Sequence, residues 1–268
     1  MVKLSSNLTD VADFLVELMN IDSTSNKEAS LGKALAVWLE QKGWTVLLQP
    51  VEHGKDTEVR YNLLATRTAY DSRRQPKLIL NSHLDTVPPY IAPTRGNNVI
   101  KGRGACDAKA MIAAMCFAAE RIVNHESADM RALANQLALL FVVNEENGHT
   151  GMIVANKLDL APKFMIIGEP TEMHWALGHK GVLLVLLTAD GVAAHSGYPE
   201  RGPTTVNIGK INGGQAANAT AAHAQAELLF RVVTPVEELV HRIEQVFRHI
   251  QRFNDADLMS PSIKQNHL

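Results

Sequence analysis

His83 and Asp85 stand one residue apart at the end of an apolar run, Leu78-Ile79-Leu80-Asn81-Ser82, in a chain of 268 residues. A His-x-Asp at a strand end suits an imidazole metal ligand with a carboxylate nearby to orient it. Two further apolar runs end in carboxylates. Residues 137–144 stop at Glu145 and Glu146, and residues 164–168 stop at Glu169. Asp107 follows the Gly-rich stretch Lys101-Gly102-Arg103-Gly104-Ala105-Cys106, just ahead of an Ala- and Met-rich helical pattern. Taken alone, Asp107 also reads as the N-cap of that helix. In open α/β sheets, ligand sites lie beyond the carboxyl ends of the strands. Ionised carboxylates gathered there repel one another unless a cation compensates them. Three acidic strand ends plus Asp107 therefore point to a metal site.

The elements that must hold these residues are legible in the periodicity. Val11, Phe14, Leu15, Leu18 and Met19 follow helical spacing, with Thr9 or Asn7 available as cap. A second helix over 27–42 ends at Gly43. Strands follow at 44–51 and 62–66, then a polar turn at 70–75 and the strand that opens at Leu78. Gly102 and Gly104 permit positive φ or close backbone approach before a helix over 109–124. Gly148-His149-Thr150-Gly151 opens a short helix, with His149 pointing away from the Glu pair. From about Gly178 the pattern changes to strands at 182–188, 206–211 and 222–233 and an amphipathic helix at 236–253, a βββα-like set.

Composition bounds the partners. The chain is 46% hydrophobic and 20% charged, with 26 Lys+Arg against 28 Asp+Glu, so it is an ordinary globular sequence without a basic stripe. Nucleic acid and anionic membranes are not expected partners, and no apolar run is long enough to span a bilayer. The N-terminus lacks a signal-peptide pattern, which predicts a cytoplasmic protein. Cys106 and Cys116 read as free thiols in a reducing compartment, Cys106 as a small buried one. His53, His125, His241 and His249 read as solvated or helix-face residues.

Taken in order, the motifs resemble the M20 metallopeptidase family of zinc-dependent aminoacylases, deacetylases and carboxypeptidases. The pieces are Ser82-His83-Leu84-Asp85-Thr86-Val87-Pro88, Gly102-Arg103-Gly104-Ala105-Cys106-Asp107-Ala108-Lys109, Glu145-Glu146-Asn147-Gly148-His149-Thr150-Gly151 and Gly168-Glu169-Pro170-Thr171. Lid-type pieces follow at Gly178-His179-Lys180-Gly181, Ala194-His195-Ser196-Gly197 and Asn212-Gly213-Gly214-Gln215-Ala216-Ala217-Asn218. The resemblance implies an α/β fold. Residues 1–177 would form an incomplete zinc-exopeptidase-like catalytic domain with a mixed sheet flanked by helices. Residues 178–254 would form a small α+β, ferredoxin-like lid, and 255–268 a disordered tail.

The same resemblance implies roles. His83 and Glu169 would bind one Zn²⁺, Glu146 a second, and Asp107 would bridge them, with Co²⁺ or Mn²⁺ as substitutes. Asp85 would orient His83. Glu145 would be the general base towards metal-bound water attacking an amide carbonyl. His195 would polarise the oxyanion, and Asn218 and Arg231 would hold a substrate carboxylate, although a structural ion pair is an equal reading of Arg231. A cis peptide would follow Asp107. The substrate would be an N-acyl amino acid or small peptide.

Two departures qualify this. The family has a lid helix after the His-Ser-Gly-Tyr-Pro stretch, and residues 197–203 run almost directly into the next strand. The homodimer that the family forms is therefore not expected here. Residues 255–268 also lack the family's last histidine ligand, which predicts an incomplete second metal site and an uncovered apolar sheet edge. The alternative to a hydrolase is thus a catalytically impaired metal-binding remnant, or a truncated gene product.

Overall fold

The computed structural model describes residues 3–51, 58–69, 75–178, 204–214 and 223–251. The chain divides into two units, Met1–His179 and Lys180–Leu268.

The first unit begins with two helices. α1 (Val11–Met19) is capped by Asp10, whose carboxylate accepts from Ala12 N at 2.6 Å, so neither Thr9 nor Asn7 serves. Asp10 wins because its own backbone is extended where the helix begins, and its short side chain reaches the free amide two residues on. α2 (Ala29–Gln41) ends as expected at Gly43, whose φ of 78° lets Trp44 N close back onto Leu39 O at 3.0 Å. The strands β1 (Thr45–Val51) and β2 (Arg60–Thr66) follow, then β3 (Leu78–His83) and the small hairpin β4 (Thr94–Gly96) and β5 (Val99–Lys101). Helices α3 (Lys109–Val123) and α4 (Ala128–Leu133) precede β6 (Leu137–Val142). Short helices α5 (Glu145–Gly148) and α6 (Thr150–Ala155) then lead to β7 (Phe164–Ile167).

The main sheet has the order β1-β2-β6-β3-β7. β1, β2 and β6 pair antiparallel, while β3 runs parallel to both β6 and β7. The sheet is therefore mixed, and helices flank it. β6 lies at its centre and is buried along its whole length. Its alternate residues divide between two clusters, as the period of two requires. Leu137, Leu139 and Phe141 pack with Phe14, Leu18, Leu35, Trp38 and Ile112 from α1, α2 and α3. Ala138, Leu140 and Val142 pack with Ala155 and Met152 of α6. At the opposite extreme, all four residues of β7 are exposed, and among the described residues no strand pairs with its outer side.

The second unit contains an antiparallel pair, β8 (Thr205–Gly213) and β9 (Ala224–Arg231), with a register shift between Ile208 and Lys210, and helix α7 (Val236–Gln251). Successive charged pairs along α7, Arg242 with Glu238 and Arg248 with Glu244, are four residues apart and exposed. The expected strand at 182–188, the helix-less link at 197–203 and the tail at 255–268 lie outside the described residues. So does most of the turn at 70–75. Among the described residues no helix is long and apolar enough to cross a membrane.

Candidate metal centre

β3, β6 and β7 end at one edge of the sheet. His83 closes β3 opposite Val142, at the end of β6. Gly168 N donates to Asn81 O at 2.7 Å, and Gly168 O accepts from Ser82 Oγ at 3.0 Å, which brings Glu169 beside β3. Asp107 arrives from the β5–α3 loop. There Gly102, with φ of 141°, passes so close to Ala92, Pro93 and Met19 that an added Cβ would meet Met19 Cε at 2.8 Å. The start of α3 is fixed by Lys109. Its buried Nζ donates to Ile21 O at 2.7 Å and Leu18 O at 3.2 Å, satisfying carbonyls at and just beyond the end of α1. Burial, opposed by Asp22, lowers this lysine to about 8.

The imidazole of His83 is 1% exposed. Its Nδ1 lies 2.8 Å from the backbone carbonyl of Asp85, which leaves Nε2 aimed at Asp107 Oδ1 at 3.0 Å and Glu169 Oε1 at 3.7 Å. Glu146 completes the closest trio, since one oxygen each from Asp107 and Glu146 and a nitrogen of His83 lie within 4.8 Å of one another. Two metal–ligand bonds of about 2 Å span at most about 4 Å, so a small closure would let all three share one ion. Burial opposes a charge on His83, but hydrogen bonds to Asp107 and Asp85 push it up to about 11. Burial, then the charge of Asp107, pushes Glu146 up to about 7. Burial, against the lowering charge of His83 and with the help of Asp107, pushes Glu169 up to about 7. Nitrogen and carboxylate donors that cannot all ionise together fit a divalent cation such as zinc.

Several expectations change at this scale. Asp107 does not cap α3. Ala108 holds the N-cap position without a side-chain bond, and the Asp107–Ala108 peptide is cis. The Asp107 carboxylate is drawn instead towards His83. Asp85 touches His83 through its carbonyl more closely than through its carboxylate, whose Oδ1 is 3.5 Å from Nδ1. That carboxylate accepts from Glu145 N at 2.9 Å, Glu146 N at 3.1 Å and Ser25 Oγ at 3.0 Å; burial raises its pKa, but His83 and the two amides outweigh this and hold it below the usual range. His149 does not point away. Its left-handed backbone turns Nδ1 to within 3.7 Å of Glu145 Oε1. Cys106 is exposed, because it lies on the loop, while Cys116 on α3 is the buried thiol; neither is in a disulfide.

Of the remaining candidates, His195 and Asn218 lie outside the described residues. Arg231 ends β9 opposite Thr205 in the second unit and is exposed. Sequence reasoning missed Ser25, Glu28, Arg60, Asn62 and Asn144, all of which bond within or beneath the site. Only Asn144 carried a usable signal, since an Asn between a strand and a short helix tolerates the left-handed region.

The model of peptidase family M20/M25/M40 matches residues 79–263, a span that takes in every one of these ligand candidates. The chain belongs to that family. A peptidase M20 domain-containing protein of Schizosaccharomyces pombe is 37% identical over 257 residues, covering 86% of this chain and 62% of its own length. A probable carboxypeptidase of Ajellomyces dermatitidis is 38% identical, covering 80% of this chain and 59% of its own length. The M20 chain thus spans about 60% of the length of these curated relatives. Among solved structures, a tripeptidase of Staphylococcus aureus aligns with 90% of this chain and 69% of its own at 22% identity and a TM-score of 0.48.

Proposed function

We propose that this M20 chain carries the reaction centre of a zinc-dependent hydrolase that cleaves an amide or peptide bond in an N-acyl amino acid or small peptide. The reading is supported above all by the convergence of His83, Asp107 and Glu146, with Glu169 against His83, where three parallel strands end. His83, Asp107, Glu146 and Glu169 would hold the metal, and Co²⁺ or Mn²⁺ could replace zinc. When bound, the metal supplies Lewis acidity that polarises the amide carbonyl and lowers the pKa of water. Glu145 takes the proton from the attacking water on its carboxylate and passes it to the leaving amine. Asp85 keeps Nδ1 of His83 engaged through its carbonyl, so that Nε2 stays the ligating nitrogen. His195 would donate to the oxyanion, and Asn218 and Arg231 would hold the substrate carboxylate, as suits relatives named carboxypeptidases. The free thiols suit a reducing compartment such as the cytoplasm.

The deciding experiment loads the protein with zinc, measures the metal by mass spectrometry and assays N-acyl amino acids and dipeptides. Glu145→Gln should retain metal and lose about 10²–10⁴ in turnover. An unchanged rate would sink the assignment of Glu145. Metal binding without turnover in the wild type would favour the impaired remnant.

A further inference from the structure

Four consecutive backbone amides at the end of β6 donate to side-chain oxygens instead of to a ladder or helix. Val143 N donates to Asn62 Oδ1 at 3.1 Å and Asn144 N to Glu28 Oε1 at 3.1 Å. Glu145 N and Glu146 N donate to the two oxygens of Asp85 at 2.9 and 3.1 Å. The three acceptors come from β2, from the residue before α2 and from the residues after β3, and each is fully buried. Together they fix the turn from which Glu145 and Glu146 project.

Glu28 is a member that neither binds the metal centre nor caps a helix. It occupies the N-cap position of α2, yet its side chain makes no capping bond. Its Oε1 receives both Asn144 N and Arg60 Nη1, the latter at 2.9 Å, with both ion-pair side chains at most 1% exposed. Arg60 opens β2. Because β2 runs antiparallel to β6, with Leu63 opposite Phe141, its first residues lie against the end of β6. A buried ion pair stabilises a fold only when its remaining atoms are well bonded, and an apolar pair often does as well or better. Here Glu28 Oε2 and Arg60 Nε and Nη2 make no hydrogen bond within the protein among the described residues. What an apolar pair could not supply is an anionic acceptor for Asn144 N, at a residue whose φ of 58° lies in the disfavoured left-handed region.

We propose that Glu28, held by Arg60, is a positioning residue that locks Asn144 in its left-handed conformation and so aims Glu145 and Glu146 at the metal centre. Its catalytic consequence rests on the hydrolase reading above, whereas the locking of the turn does not. The test replaces the pair together, Glu28→Leu with Arg60→Leu, so that no charge is left buried alone. Amide hydrogen exchange of the metal-free protein is then followed. Loss of a charge-assisted bond predicts exchange about tenfold faster or more at Asn144, Glu145 and Glu146, with Leu139 to Phe141 unchanged. In the zinc-loaded protein, kcat should fall at least as much while KM holds. Glu28→Gln, which keeps an oxygen acceptor but not the charge, should exchange about threefold faster at Asn144 and recover most of the lost kcat. Exchange at 144–146 equal to wild type, exchange raised evenly across the sheet, or an unchanged kcat overturns the proposal. If the double variant does not fold, Glu28→Gln decides alone, and an unaltered Asn144 amide overturns it. A wild type without activity on any substrate defeats the hydrolase reading, yet the exchange comparison still stands.

Discussion

Two strand ends, on either side of β3, supply carboxylates to the same centre from opposite surroundings. Glu145 and Glu146 leave β6, a strand buried on both faces, through a turn anchored by Asn62, Glu28 and Asp85. Glu169 leaves β7, an edge strand whose Phe164 and Ile167 are 69% and 60% exposed. The first carboxylates are preorganised by the interior before any metal arrives. The second follows Gly168, which bonds Asn81 and Ser82 of β3, and stands against His83. A site built this way has one rigid wall and one adjustable wall.

The contrast is broken most severely at Asp85. Asp85→Ala leaves two turn amides and Ser25 Oγ without their acceptor and removes the carboxylate beside the buried His83, and should cost about 3–5 kcal/mol of folding stability, measured by denaturant unfolding of the metal-free protein. The two strands can then be compared directly. Leu139→Ala in β6 should cost about 2–5 kcal/mol, while Phe164→Ala in β7 should stay within about 0.5 kcal/mol. Equal losses would show that β7 is packed as tightly as β6. Zinc should sharpen the picture from the other side. At about a hundred times its Kd it should add about 2.7 kcal/mol to the stability, reversed by a chelator, and a melting temperature indifferent to zinc would remove the centre. A more local effect is expected at Asn144. Asn144→Ala should cost about 2 kcal/mol, for the left-handed backbone and for the lost bond that Asn144 Nδ2 donates to Thr150 Oγ1 at 3.0 Å. Asn144→Gly should cost about half of that, because only the bond is lost.

The acidic strand ends of both walls were legible in sequence because hydrophobic runs stop abruptly at His83, Glu145 and Glu169. Gly102 and Gly43 also announced their turns. The buried groups that anchor the rigid wall were not legible. Glu28 sits in a polar stretch beside Lys27, and Arg60 opens a strand at a position that reads as a surface terminus. Their pairing spans 32 residues of sequence, and no local periodicity encodes it. Asp85 was legible as a neighbour of His83 but not as the acceptor for Glu145 and Glu146, since only the parallel pairing of β3 with β6 brings those amides within reach. Cys106 and His149 went astray for a related reason: each lies in a loop whose direction is set by backbone conformation, here left-handed at His149, and side-chain type says little about it.

The division of β6 between two clusters has a consequence for error. A slip of one residue against β2 and β3 would turn Leu139 and Phe141 into the space lined by Ala155 and Met152, and send Ala138 and Leu140 towards Trp38 and Phe14. Both faces would then be misfilled at once, one crowded and the other hollow. The same slip would carry Glu145 and Glu146 about 3.3 Å along the strand, further than a metal–ligand bond is long. The shape of the core therefore acts as a ruler for the chemistry: the chain cannot miscount its strands without an immediate penalty far from the carboxylates themselves.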